Sequence, residues 1–135
     1  MISNPLAVTL KREDRIGIVH LERAHGNAIN DAFVENLVAV LAEAESDPAI
    51  GGVLLTAGGK IFCPGLDLQE LSALDREGME RFMWRFSAAV LTFYTFPKPV
   101  VAVLHGHALA GGCVLALCAD CLGRQAPNLL ATFAS

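Results

Sequence analysis

Apolar and polar residues alternate along two short segments near the start of the chain. In residues 6–12 the apolar positions are Leu6, Val8 and Leu10, and in residues 15–21 they run Ile16, Ile18, then Val19 and Leu21. A period of two is typical of a strand with one buried face. The polar pair Glu13-Asp14 separates the two segments, so the pattern predicts an antiparallel hairpin.

Two longer segments, residues 31–46 and 76–93, carry apolar side chains at spacings of three and four residues. That spacing predicts amphipathic helices with one face on a core. We also expect Trp84 and the phenylalanines in that core, with the lining of a ligand tunnel as the alternative. Asn30 is a good N-cap for the first helix, and the second must end before Pro97. A third, shorter helix is predicted over residues 113–119.

Two almost continuous apolar runs, residues 52–56 and 100–104, lie between these helical segments. Short runs of this kind are typical of parallel strands that are buried on both faces. Single strands that alternate with helices predict a parallel sheet following the opening hairpin. The sequence therefore indicates an α/β fold.

Composition narrows the range of functions. The chain of 135 residues is 53% hydrophobic and only 18% charged, which indicates surface that further chain or partner subunits cover. The net charge of −4 comes without a basic cluster, which argues against a nucleic-acid partner. Residues 1–10 lack a charged start followed by an apolar core, and there is no apolar run of about 18 residues, so we expect no signal peptide and no membrane span.

The four cysteines are expected to be free thiols in a reducing compartment such as the cytoplasm. Cys118 and Cys121 form a lone C-x-x-C pair, which with His105 and His107 could be drawn as a metal site. Structural zinc sites usually have two such paired-ligand motifs. We therefore favour no metal and leave the alternative open.

Two glycine-containing turns, residues 62–68 and 106–113, each follow one of the apolar strands. In open α/β sheets, ligands bind at the carboxyl ends of the strands. Glycine lets the backbone approach a ligand closely, and the second turn also opens a helix with unpaired amides. Two such turns can aim two N–H groups at one oxygen, which is the physical requirement of an oxyanion hole.

Five ordered segments resemble the crotonase (enoyl-CoA hydratase/isomerase) family. They are the Asn-Ala turn at 27–30, the Phe-x-x-Gly-x-Asp-Leu signature at 62–68, the Lys-Pro strand at 98–102, the glycine-rich signature at 105–112 and Cys-Ala-Asp at 118–120. The resemblance covers residues 6–120. It implies the N-terminal half of a crotonase-like ββα spiral, incomplete because a full family chain is about twice as long.

The resemblance also implies a site and a substrate. The backbone amides of Leu66 and Gly111 would polarise the carbonyl of an acyl-CoA thioester and stabilise its enolate. The expected substrate-binding residues are Arg23, Ala28, Cys63, Pro64, Gly65, Asp67 and Gly112. Arg23 could meet a phosphate or be an exposed turn arginine, and Asp67 is expected chiefly to order its own loop. The resemblance implies no cofactor, since the CoA thioester is the substrate. It also implies a homo-oligomer, a trimer or a hexamer.

Departures from the family pattern bear on the reaction type. Val114 occupies the position of a glutamate in hydratases, and a valine cannot transfer a proton. Ala110, Pro64 and His105 replace a glycine, an alanine and an asparagine. We therefore favour single-base isomerisation over hydration, with His105 or His107 as candidate bases. The alternatives are an inactive protein that binds CoA thioesters and a small α/β interaction domain.

The family pattern ends after Asp120. We expect residues 1–120 to form the crotonase-like part and residues 121–135 to form a non-family tail, as in a truncated or frame-shifted product. The apolar strands 52–56 and 100–104 would then lack the packing partners that the second half of a family chain provides. Aggregation or dependence on oligomerisation is the expected consequence.

Overall fold

A computed structural model of the chain describes residues 6–124. The elements are β1 (Val8–Glu13), β2 (Ile16–Leu21), α1 (Ala24–Asn27), α2 (Asp31–Ser46), β3 (Gly52–Ala57), α3 (Leu68–Leu71), α4 (Arg76–Tyr94), β4 (Val100–Leu104), α5 (Gly111–Leu117) and β5 (Cys121–Arg124). After the first two strands, one or two helices separate each strand from the next, which confirms the predicted α/β class.

The five strands form one sheet in the order β1-β2-β3-β4-β5. β1 and β2 pair antiparallel, with Glu13 opposite Ile16 across a two-residue turn, as the break at Glu13-Asp14 predicts. All later pairs are parallel. The loops that follow β3 and β4 therefore leave the sheet at the same edge.

The core lies on one face of the sheet, and its register corrects the expected pattern of β2. Val19 and Leu21 are fully buried, whereas Ile16 is 39% exposed. Leu21 pairs with the fully buried Val8, so the odd-numbered positions of β2 face the core and Ile16 lies on the opposite face. Leu6 precedes β1 and is 59% exposed.

Helices α2 and α4 pack together against the core, and α2 contacts β1 and β2. The Asn30 side chain accepts a hydrogen bond from the Phe33 amide at 2.9 Å, which confirms the predicted N-cap of α2. Phe33, Phe82 and Phe93 are buried. Trp84 is 78% exposed, so its predicted place in the core is wrong: it lies on the outer face of α4.

The opposite face of the sheet is half exposed within residues 6–124. Leu54 of β3 and Val101 of β4 are only partly buried, whereas their neighbours Leu55 and Ala102 are completely buried. The expectation that these strands are buried on both faces is therefore met on one face only. No helix in the described residues is long and apolar enough to cross a membrane.

The sequence pattern misses the two single-turn helices α1 and α3 and, in the sheet, strand β5. Cys121–Arg124 has no apolar alternation, yet it pairs parallel with β4 from Val101↔Cys121 onward. Asp120 fixes the start of this pairing: its amide donates to the Val100 carbonyl and its carboxylate accepts from the Val100 amide, both at 2.8 Å. The proposed domain limit at residue 120 stays a prediction, and residues 125–135 lie outside the described part.

The N-cap of α2 provides a stability test. Asn30 also donates to Glu70 Oε1 at 3.0 Å, so Asn30→Ala removes both the cap and a contact with α3. We expect the free energy of unfolding to fall by about 1–2 kcal/mol in urea titrations. The control is Ser46→Ala at the exposed end of α2, where we expect a change within about 0.5 kcal/mol. Equal effects of the two substitutions would contradict this account of the cap.

Candidate active site

Three loop segments are joined by a short parallel ladder beside the main sheet. The Cys63 amide donates to the His107 carbonyl at 3.1 Å, and the Leu109 amide donates to the Cys63 carbonyl at 2.9 Å. The Ile29 amide donates to the Gly65 carbonyl and the Asp67 amide to the Ile29 carbonyl, both at 2.8 Å. The loop after β3 is therefore held on one side by the α1–α2 connection and on the other by the loop after β4.

This ladder orients the Leu66 amide. Leu66 forms a parallel bridge with Ile29, in which the flanking groups of Gly65 and Asp67 make the hydrogen bonds. The N–H of the bridged residue points to the opposite side of the strand. Within residues 6–124 the Leu66 amide makes no backbone hydrogen bond.

The Gly111 amide lies in a tight turn at the start of α5. The Gly112 amide donates to the Leu109 carbonyl at 2.8 Å, which closes the turn, and the next hydrogen bond runs from Val114 to Ala110. Gly111 is the first residue of α5, where an amide has no partner in its own helix. A Cβ placed on Gly65 would lie 3.2 Å from the Gly111 nitrogen. The glycine at 65 thus keeps the space beside this amide open.

Two further positions in this turn are under tight backbone constraint. Ala110 has φ 48° and ψ −118°, the first central position of a type II′ turn, which glycine normally occupies. A Cβ on Gly112 would lie only 2.1 Å from the Cys63 carbonyl oxygen. Gly112 therefore supports the close approach of the two loops, and Ala110 holds a strained backbone conformation.

Arg23 joins the loop after β3 to the end of α1. Its guanidinium donates to Asp67 Oδ2 at 2.8 Å, to Glu70 Oε2 at 2.7 Å and to the Ala28 carbonyl at 2.9 Å. The Arg23 side chain is 18% exposed. A contact with a CoA phosphate would compete with these two carboxylates, so that expected role stays a prediction and the observed one is positional.

Asp67 orders its own loop, as expected. Its Oδ1 accepts from the Glu70 amide at 3.1 Å and caps the short helix α3. The hydrogen bond from Arg23 is the main cause that lowers the Asp67 pKa below its ordinary value. Asp67 is therefore a charged structural anchor directly after Leu66.

Asn27 is a positioning residue whose role the motif match did not predict. It is 2% exposed, and its side-chain amide donates to the carbonyls of Gly58, Ile61 and Phe62 at 2.9 to 3.2 Å. Its Oδ1 accepts from the Arg23 amide at 2.7 Å. The sequence feature that could have indicated this role is an asparagine next to a glycine in a turn, because asparagine tolerates a positive φ. Asn27 has a φ of 71°.

Among residues 6–124, the titratable groups near the turns include two histidines, and position 114 carries no carboxylate. Val114 is 41% exposed on α5 and brings no proton-transferring group. His105 Nε2 donates to the Gly59 carbonyl at 2.7 Å, and His107 is exposed. Burial raises the pKa of the Cys63 thiol to about 11, and the thiol donates to the Asn27 carbonyl. Cys63 is therefore a structural thiol.

The predicted site residues mostly come together. Pro64, Gly65, Leu66 and Gly111 lie where the two turns meet, with Ile29 Cδ1 and Phe86 Cζ 3.3 and 3.5 Å from a Cβ built on Gly111. Ala28 lies one residue before the ladder. Of the cysteines, Cys118 is buried and Cys113 and Cys121 are exposed. Among residues 6–124 no three His, Cys, Asp or Glu side chains group as metal ligands.

Fold and ladder together define a crotonase-type α/β protein, and comparison with known proteins agrees. A profile of the enoyl-CoA hydratase/isomerase family matches residues 11–127. The chain belongs to this family.

Individual relatives support the assignment. The chain is 33% identical over 116 residues to the protein named "Probable enoyl-CoA hydratase echA8" of Mycobacterium tuberculosis, covering 85% of this chain and 44% of the relative. It is 32% identical over 114 residues to the mitochondrial enoyl-CoA hydratase of Pongo abelii, covering 81% and 37%. The crystal structure of an enoyl-CoA hydratase from Mycobacterium smegmatis superposes with a TM-score of 0.83 at 32% identity, covering 90% of this chain and 48% of that one. The chain thus spans less than half the length of these relatives.

The turn at Ala110 gives a second stability test. Ala110→Gly removes the strain of a side chain at positive φ, and the gain exceeds the added entropy cost of glycine. We expect the free energy of unfolding to rise by about 1 kcal/mol. Ala88→Gly, in the exposed interior of α4, should lower it by about 1 kcal/mol. A decrease in both variants would show that position 110 is unstrained.

The Asp67–Arg23 contact gives a prediction on pH. A carboxyl group whose pKa is lower in the folded than in the unfolded state stabilises the protein when the pH is above the unfolded-state pKa. This stabilisation is lost as the pH falls through the folded-state pKa. We therefore expect Asp67→Asn to be less stable than the parent protein at neutral pH and to approach it under acid conditions. Urea unfolding along a pH series measures this, with exposed Glu13→Gln as the control. A constant difference between Asp67→Asn and the parent would contradict the assignment.

Proposed function

We propose that this chain binds an acyl-CoA thioester and polarises its carbonyl oxygen between the backbone amides of Leu66 and Gly111. The observation that carries the proposal is the pair of amides without backbone partners in residues 6–124, at the point where the ladder joins the two glycine turns. Donors that are fixed before the substrate arrives stabilise negative charge on oxygen without reorganisation.

The chemistry follows from that polarisation. Hydrogen bonds to the thioester oxygen stabilise the enolate that forms when the neighbouring carbon loses a proton. The site is built from backbone held by the Asn27 and Arg23 contacts, so its geometry is set by the fold. Ile29 and Phe86 give the Gly111 side an apolar wall, which suits an apolar acyl group.

Reactions that need a single base fit the site better than hydration does. Val114 replaces a proton-transferring carboxylate, and Asp67 and Glu70 are both bound to Arg23. Double-bond isomerisation moves one proton between two carbons and needs one base, whereas hydration also needs a water to be activated. The base would come from His105, His107, residues other than 6–124 or another chain.

A second candidate function is thioester binding without turnover. It is favoured by the absence, among residues 6–124, of a carboxylate free to act beside the two amides. We further propose a homo-oligomer in the cytoplasm. Its contact surface would include the exposed apolar residues of α4, namely Trp84, Leu91 and Tyr94.

Calorimetric titration with acetoacetyl-CoA, read together with the enolate absorbance of the bound ligand, tests the amide pair. We expect binding with growth of the enolate band. Gly111→Pro removes the N–H at the first position of α5 and, in a variant shown to be folded, should weaken binding about tenfold to a hundredfold.

Gly111→Ala is the matched control, because it keeps the N–H and adds a Cβ in ordinary contact with Phe86, at 3.5 Å, and 3.3 Å from the flexible end of the Ile29 side chain, which moves slightly to accommodate it. It should bind with an affinity close to that of the parent. Loss of binding in both variants would indicate a steric effect, and retention in both would contradict the proposed donor. Coupled assays with 3-enoyl-CoA and crotonyl-CoA then separate isomerisation, hydration and binding alone.

A further inference from the structure

A second group of chemically active side chains lies outside the site described above. His20 of β2 and Thr56 of β3 are paired in register across the two parallel strands. Glu22 follows β2 two residues after His20. His20 and Thr56 project from the sheet face opposite the core, which is half exposed. The amides of Leu66 and Gly111 take no part in this group.

The three side chains form a continuous chain of hydrogen bonds. His20 Nδ1 lies 2.8 Å from Thr56 Oγ1, and His20 Nε2 lies 3.2 Å from Glu22 Oε2. Gly58 makes room for the carboxylate, because a Cβ at that position would overlap Glu22 Oε2. The His20 side chain is 38% exposed and that of Glu22 is 64% exposed, so small molecules can reach the group.

The direction of the hydrogen bonds follows from the chemistry of the partners. An ionised carboxylate only accepts, so neutral His20 donates its Nε2–H to Glu22. Nδ1 then carries no proton and must accept, and the Thr56 hydroxyl is its donor. This is the order of hydroxyl, imidazole and carboxylate in which a hydroxyl is activated as a nucleophile.

We propose that Thr56 is an acyl-acceptor nucleophile, with His20 as its base and Glu22 as the group that orients His20, for activated acyl donors such as thioesters and aryl esters. Thr56 Oγ1 attacks the carbonyl carbon while its proton passes to His20 Nδ1. The bond from carbon to the leaving sulfur or oxygen breaks, and the leaving group takes that proton. Water then hydrolyses the threonyl ester, which releases the carboxylic acid and restores the Thr56 hydroxyl.

This activity goes beyond the proposed thioester polarisation, because it makes a covalent ester and uses neither of the two backbone amides. The two functions can therefore fail separately. A protein with a disrupted Gly111 donor should keep Thr56 acylation, and a protein without the Thr56 hydroxyl should keep the binding of acetoacetyl-CoA.

The test is acetylation by p-nitrophenyl acetate, followed by release of p-nitrophenolate and by mass mapping of the acetylated peptide. The exposed thiols of Cys113 and Cys121 also react with this ester, so both are first replaced by serine. In that background we expect one acetyl group on Thr56. Thr56→Val should abolish it, and Thr56→Ser should retain it.

Separate variants test His20 as the base and Glu22 as the group that orients it. We expect His20→Gln to slow acetylation of Thr56 about a hundredfold, which is a typical general-base contribution, and Glu22→Gln to slow it less. Thr9→Val is the matched control, because Thr9 is exposed and lies opposite His20 on β1, and the partners of the His20 ring are Thr56 and Glu22 and not the Thr9 hydroxyl. Thr9→Val should acetylate at the parent rate.

Thermal unfolding of each variant confirms that it is folded before its rate is compared. The proposal is overturned if the folded parent shows no acetyl group on Thr56 and releases p-nitrophenolate no faster than Thr56→Val. An equal rate of Thr56 acetylation in the parent and in folded His20→Gln would also overturn it.

Discussion

The short parallel ladder of Ile29 with Leu66 and Cys63 with Ala108 is the constraint on which the site depends. It fixes the loops after two adjacent parallel strands against each other by backbone hydrogen bonds, so the orientation of the amides does not depend on flexible side chains. Close approach is possible only because Gly65 and Gly112 lack a Cβ at the contact. The buried Asn27 and the Arg23–Asp67 pair then hold the same loops from behind.

Much of this architecture could be predicted from local patterns. The cap at Asn30, the bounds of α2 and β4 and the hairpin follow from turn residues and periodicity, which act over a few residues. The register of β2 could not, because Ile16, Ile18 and Val19 are all apolar and only pairing with Val8 decides which of them is buried. Strand β5 carries no apolar alternation, and its place is fixed by the Asp120 contacts with Val100, a long-range interaction.

The candidate site could be predicted in outline from family motifs and not from local patterns. Family motifs point to the amides of Leu66 and Gly111, whereas composition and periodicity indicate only two glycine turns at one edge of the sheet. The partners of Arg23 lie 44 and 47 residues away, so its ion pairs could not be read from spacing. The group of His20, Thr56 and Glu22 likewise appears only once β2 and β3 are in register. Membership of the enoyl-CoA hydratase/isomerase family thus fixes the framework, and the side chains placed on it set the chemistry.

The central claim is that two backbone amides polarise a thioester carbonyl. Isotope-edited infrared spectroscopy of acetoacetyl-CoA, labelled with carbon-13 at the thioester carbonyl, measures this directly. The account requires the carbonyl stretch to move to lower frequency on binding, because hydrogen bonds to the oxygen weaken the double bond. A bound ligand whose carbonyl frequency equals that in water, in a protein shown to be folded, would contradict it.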